Sequence, residues 1–188
     1  MNMNVKKTKV VIFGGKSKNP PTVLSSSTVF LYDEKPLEVV DVYKYLGCFF
    51  DKDLNFSFHI SAAVRRAEKA SFSLFRRIDS FRNMKISMKL RLYTSLVLSV
   101  LLYGVEVWGL VARKGDLRKL ERFHVSCLRR ILMVGPGFPV AAVYWLLGFT
   151  DIDTLMKQRT TKFLISIKQK KRSANFQSNL ATYYFFSK

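Results

Sequence analysis

At 188 residues and 21.7 kDa, with 48% hydrophobic content, the chain can fill one ordinary core or two small ones. This excludes both a disordered polypeptide and a mini-protein held together by staples. Lys and Arg number 32 against 13 Asp and Glu, and the resulting +19 exceeds what solubility requires. A polyanionic partner is the economical reading, nucleic acid ahead of an anionic membrane. Two cysteines, Cys48 and Cys127, with no signal-peptide apolar segment behind Met1, point away from a disulfide scaffold. An intracellular location, nucleus or cytoplasm, is expected.

Residues 1–56 carry 8 Lys and Arg against 6 Asp and Glu, whereas residues 57–188 carry 24 against 7. The surface for a polyanion therefore belongs to the second part. In the first part, short β-rich runs (Lys9 to Phe13, Thr28 to Tyr32, Tyr43 to Phe50) alternate with turn chemistry such as GGKSKNPP and Asp33-Glu34-Lys35-Pro36. A small sheet or hairpin region is predicted. From Ser57 onward the apolar residues recur at three and four, and no Pro appears until Pro136.

The first predicted helix, Ser57 to about Phe81, places Ile60, Val64, Ala67, Leu74, Phe75, Ile78 and Phe81 on one side. Arg65, Arg66, Lys69, Arg76 and Arg77 fall on the other. The second, Ile86 to about Trp108, is apolar nearly all round yet short of the ~20 residues of a membrane span, so it is expected to be a buried central helix. A third, from Asp116 as N-cap to about Met133, turns Leu117, Leu120, Cys127, Leu128 and Ile131 inward. It turns Arg118, Lys119, Arg122, Arg129 and Arg130 outward. A short helix at Ala141 to Leu147 and a last one from Asp151 to about Lys168 complete an α+β chain. Its expected divisions are a β region at 1–56, a helical bundle at 57–172 and a tail at 173–188 open to disorder.

Few motifs carry chemistry. GGKS at Gly14 to Ser17 lacks the leading glycine and the following helix of a phosphate-binding loop. Asp51 and Asp53 read as turn and cap residues rather than a cation pair. His124 and Cys127, one helical turn apart without a second pair, read as core rather than zinc ligands, and His59 has no triad partner near it in sequence. No catalytic constellation and no metal site can be assembled.

Several segments, in order, resemble one family. Met3-Asn4-Val5-Lys6-Lys7-Thr8-Lys9-Val10 resembles the Leu-Asn-x-x-Lys-Thr-Lys signature of non-LTR (LINE-type) retrotransposon reverse transcriptases, with Met3 in place of the leucine. Tyr43-Lys44-Tyr45-Leu46-Gly47 is similar to the primer-grip hairpin of that family. His59-Ile60 and its basic helix, then Leu101-Leu102-Tyr103-Gly104-Val105-Glu106-Val107-Trp108-Gly109, then Leu120-Glu121-Arg122 with Leu128-Arg129-Arg130-Ile131-Leu132, and Leu146-Leu147-Gly148 follow the order found after the polymerase palm.

The resemblance implies a chain that begins just after the aspartates holding two Mg²⁺ ions, and so lacks fingers, most of the palm and the endonuclease. It would retain the end of the palm, the primer grip and the thumb, inactive by itself and without a cofactor of its own. Lys7 would stand where a motif lysine is suggested to protonate the leaving pyrophosphate, and Tyr45, Leu46 and Gly47 would position the primer end. The expected partner is an RNA/DNA duplex held without sequence preference by Arg65, Arg66, Lys69, Arg76, Arg77, Arg118, Lys119, Arg122, Arg129 and Arg130, and the absent palm and fingers would be a second. A non-enzymatic helical interaction module is the alternative; membrane association through residues 92–105 is disfavoured.

Overall fold

The structure, a computed structural model, describes residues 8–13, 30–32, 35–80 and 84–185, with the side chains of 78–80 and 171–185 left out. Lys7, the first half of the Met3 to Val10 motif and the GGKS segment lie outside these residues.

Among the described residues six short strands come first: β1 (Lys9–Val10), β2 (Leu31–Tyr32), β3 (Lys35–Pro36), β4 (Glu38–Val39), β5 (Val42–Tyr45) and β6 (Cys48–Asp51). They form three two-stranded ladders rather than one sheet: β1 with β4 in parallel, β2 with β3 and β5 with β6 antiparallel. The predicted run Tyr43 to Phe50 is thereby folded back on itself. Its turn residues Leu46 and Gly47 have φ of 45° and 85°, the positive pair that a two-residue hairpin turn of right-handed strands demands. After β6, the Asp51 carboxylate accepts the Asp53 N–H at 2.7 Å, so the Asp-x-Asp pair serves the turn.

The first helix, α1 (Ser57–Ser80), buries Ile60, Ala67, Leu74 and Phe75 of its predicted inward side, and Ala63 with them; Val64 is half-buried, and the Ile78 side chain and Phe81 lie outside the described residues. The expected continuous helix from Ile86 to Trp108 is corrected. It is broken into α2 (Ile86–Tyr93), a π-helical turn at Thr94–Leu98, α3 (Ser99–Leu101) and, after a turn, α4 (Val105–Trp108). Two local causes are visible. Thr94 and Ser95 hydroxyls bond the Leu90 and Arg91 carbonyls at 2.8 and 2.7 Å, where the Ser99 N–H reaches five residues back to Thr94. Gly104 then takes φ +67°, which ends the right-handed run. The extra residue and the break leave Tyr93, Val97, Leu98, Leu101, Leu102, Val105 and Trp108 buried, while Leu96, Tyr103 and Val107, expected to be buried with the rest of this segment, are each about half exposed.

Asp116 is not the N-cap of the next helix. That helix, α5 (Lys114–Leu132), starts three residues earlier, with extended Arg113 at the cap position. Asp116, 4% exposed, instead accepts the Ser57 hydroxyl and Lys119 Nζ, joining the starts of α1 and α5. The short α6 (Val140–Leu147) stops at Gly148 with φ +64°. Asp151 then caps α7 (Ile152–Phe185) by accepting the Thr154 N–H and hydroxyl at 2.9 and 2.7 Å, which holds its carboxyl below the ordinary range. This last helix runs well past the predicted end near Lys168. Glu121 accepts both the Tyr144 hydroxyl and the Ile152 N–H, so α5, α6 and α7 share one half-buried carboxylate anchor. The core between the helices is built on Trp108, Tyr93, Leu101, Leu120, Leu128 and Met156, each contributing about 1.5–3 kcal/mol of burial.

Candidate nucleic-acid interface

Two motifs far apart in sequence meet at the tip of the β5–β6 hairpin. Tyr103 donates its hydroxyl to the Leu46 carbonyl at 2.9 Å. Its ring lies so close to Gly47 that a Cβ there would stand 2.9 Å from Cε1. Next to it, a Cβ on Gly104 would fall 2.5 Å from Cys48 Sγ. The Trp108 indole donates to the Tyr103 carbonyl at 3.0 Å, and its ring meets that of buried His59, 5.7 Å away. His59 Nδ1 in turn accepts the Phe49 N–H at 3.3 Å. Tyr45 and Leu46, the other residues assigned to the primer-grip-like tip, are 59% and 75% exposed and so project from a fixed turn.

The basic residues divide into two groups. Between α1 and α5 lies a shallow groove of about 530 Å³, lined by Arg65, Glu68, Lys119 and Arg122 with Ser61 and Ser126, over a floor of Val64 and Phe123. The two helical stripes thus converge on one surface. Lys119 is half exposed while it bridges to Asp116 at 3.2 Å. Lys69, Arg76, Arg77 and Arg118 are exposed, outside the lining of this groove.

Three expected contact residues have structural employment. Arg129 donates Nε and Nη2 to the Phe138 carbonyl at 3.2 and 2.6 Å, fastening the α5–α6 connection. Arg130 lies 4.6 Å from the Phe75 ring centre in a cation–π contact. Arg66 is half-buried, with Nε donating to the Ala62 carbonyl at 3.3 Å and Nη2 enclosed without a hydrogen-bond partner among the described residues. Its charge acts on buried Cys48, whose thiol is nonetheless pushed up by desolvation.

Both histidines belong to the interior. Burial lowers His59 below its usual value, with the Tyr103 backbone opposing and Arg66 assisting. His124 shares a 2.6 Å hydrogen bond with the Tyr93 hydroxyl through Nδ1 and stacks on Tyr144 at 6.0 Å. Desolvation lowers it to about 4. Cys127 is likewise buried, its thiol pushed up to about 12, mainly by desolvation.

The Mg²⁺ pair implied by the resemblance would require converging carboxylates. Among the described residues no group of three His, Cys, Asp or Glu side chains could hold a metal ion, so these residues do not fit it. Nor, among them, is any helix long and apolar enough to cross a membrane. Glu68, Ser61 and Phe123 were not marked by charge or periodicity, whereas Tyr103 carried a signal in its place within Leu-Leu-Tyr-Gly.

The arrangement defines a class: an α+β chain with a helical bundle that presents a basic groove between α1 and α5 and carries an apolar-tipped hairpin packed on Tyr103 and Gly104. No protein-family model matches it and no solved structure matches it. In sequence it is 27% identical over 158 residues to the RNA-directed DNA polymerase from mobile element jockey of Drosophila melanogaster, across 84% of this chain and 15% of that polymerase. The probable RNA-directed DNA polymerases from transposon X-element and transposon BS of the same fly are 27% and 30% identical over 131 and 88 residues. These alignments take in 70% and 47% of this chain and 14% and 10% of the polymerases. The chain thus spans about a seventh or less of the curated relatives named here. Over much of its length, then, its sequence is similar to those of RNA-directed DNA polymerases of non-LTR retrotransposons.

Proposed function

We propose that this chain is a thumb-like part of a reverse transcriptase that holds an RNA-containing duplex by its phosphates and does not itself catalyse nucleotide transfer. The observation that carries the reading is the convergence of Arg65 on α1 with Lys119 and Arg122 on α5. Cations on one groove, accompanied by few base-reading side chains, suit backbone contacts without sequence preference. The relatives' printed activity, RNA-directed DNA polymerisation, gives such a groove a substrate. For catalysis the sequence offers no Asp-Asp dipeptide.

The test is salt-dependent binding of the full chain to labelled duplexes. Replacing Arg65, Lys119 and Arg122 together by alanine should remove about three phosphate contacts and lower the slope of log K against log salt by roughly 2 to 3. An unchanged affinity and slope would refute the reading.

A second reading, an interaction module, is favoured by the exposed apolar residues of the ladders, among them Leu31, Val39 and Leu46. These would pack against further polymerase polypeptide. Mixing experiments with palm and fingers supplied as a separate chain would show co-elution if so, and no association if not.

A further inference from the structure

The α1–α5 groove contains one residue that a plain phosphate track would not keep. Glu68 lies among Arg65, Lys119 and Arg122, it is exposed, and among the described residues no Lys or Arg closes an ion pair with it. A carboxylate at that place repels phosphate oxygens. It has only acceptor capacity to offer, so what it favours is a hydroxyl or amine donor. The groove also has an apolar floor, Val64 and Phe123, and two hydroxyls, Ser61 and Ser126. Apolar floor and hydroxyls suit a sugar, whose carbon face is apolar and whose edge carries oxygen. Cations on both helices suit the phosphates on either side of it.

We propose that this groove seats a ribose-bearing strand, with Arg65, Lys119 and Arg122 on the phosphates and Glu68 accepting the 2′-hydroxyl proton. The inference rests on the proposed duplex-binding function and adds the residue that sets its preference. DNA lacks the donor, so on a DNA strand the carboxylate is left facing phosphates with nothing to accept. The wide, shallow minor groove of an A-form helix is where sugars and 2′-hydroxyls are presented, and a shallow surface of this kind can meet it.

The experiment measures affinities of the full chain for RNA/RNA, RNA/DNA and DNA/DNA duplexes of one sequence by fluorescence anisotropy. The proteins are the unaltered chain, Glu68→Ala and Glu68→Gln. The unaltered chain should favour the RNA-containing duplexes by roughly tenfold, the size of one charge-assisted hydrogen bond. Glu68→Ala should abolish that preference while binding to DNA/DNA stays the same or tightens. Glu68→Gln, whose amide oxygen still accepts, should retain part of the preference. Glu68 is exposed, so both variants should melt with the unaltered chain, as circular dichroism will verify. A Glu68→Ala variant that tightens on all three duplexes by one common factor would show a merely repelling charge and overturn the proposal, as would equal affinities in the unaltered chain. These failures leave the duplex-binding function standing. Loss of that function shows separately, as insensitivity to the Arg65, Lys119 and Arg122 triple replacement.

Discussion

The buried imidazole of His124 makes the fold sensitive to mild acid, by an amount that its surroundings determine. Its protonation must charge a ring enclosed by Tyr93, Tyr144 and Phe149, with Nε2 lacking a partner among the described residues. Folding lowers its pKa from 6.5 to about 4. The unfolded chain therefore binds the proton first, and stability is fully present above about pH 6.5. It declines as pH falls from there toward 4, and the loss is complete below that value. At 1.36 kcal/mol per pKa unit the full loss is about 3 kcal/mol, a large share of a typical folding free energy. Urea unfolding across this pH range measures it. Asp151, whose carboxyl the Thr154 N–H and hydroxyl hold below its ordinary value, adds its own loss at lower pH, so the decisive quantity is the difference between the unaltered chain and His124→Gln, which retains a bond to Tyr93 without a titrating ring. Parallel stability profiles in the two proteins would refute the reasoning.

The remaining outcomes follow from individual contacts. Gly104→Ala should cost roughly 1–3 kcal/mol, because the new Cβ meets Cys48 Sγ at 2.5 Å and the residue holds φ +67°. Adding Cys48→Ala should restore part of the loss in thermal melts, and strict additivity would show that the collision is not the cause. Leu101→Asp, at a position with no exposure, should cost several kcal/mol and give insoluble protein. A soluble, equally stable variant would remove Leu101 from the core. Arg129→Ala should lose about 1–2 kcal/mol of stability, through two donors to the Phe138 carbonyl, without altering the salt slope of duplex binding. Primer extension on poly-rA/oligo-dT with Mg²⁺ or Mn²⁺ should give no incorporation; activity that copurifies with the chain would contradict the proposed non-catalytic role.

Much of the helical architecture was legible because burial on one side of a helix imposes its period on the sequence. The inward set of α1 and the basic faces of α1 and α5 are of this kind. The break in the central segment was harder to read. Gly104 is visible as a glycine, but nothing in LLYGVEVWG says that it turns left-handed or that Cys48, from a hairpin more than fifty positions earlier, packs where its Cβ would stand. The same limit applies to the arginines. Arg129 and Arg122 sit on the same stripe of one helix, yet one reaches a loop carbonyl and the other a groove, and only the packing of α6 separates them. Asp116 resembled a cap by residue type, and a long-range partner, Ser57, claimed it for another task.

That division of the cations alters what the net charge means for binding. A count of +17 over residues 57–188 would suggest many phosphate contacts, but Arg66, Arg129 and Arg130 already serve a backbone carbonyl or a ring. The groove itself supplies three cations and gives one acid back. A total salt slope near 3 would mean that the groove alone engages the duplex. A steeper slope would require further exposed cations, Lys69, Arg77 and Arg118 among the candidates, and the increment left after the triple replacement would count how many take part. The hairpin tip contributes little to that slope, since Tyr45 and Leu46 carry no charge; its effect belongs in position. With Gly47 against Tyr103 and Gly104 against Cys48, the tip is fastened to the helical bundle, so Tyr45 and Leu46 are presented from a fixed turn.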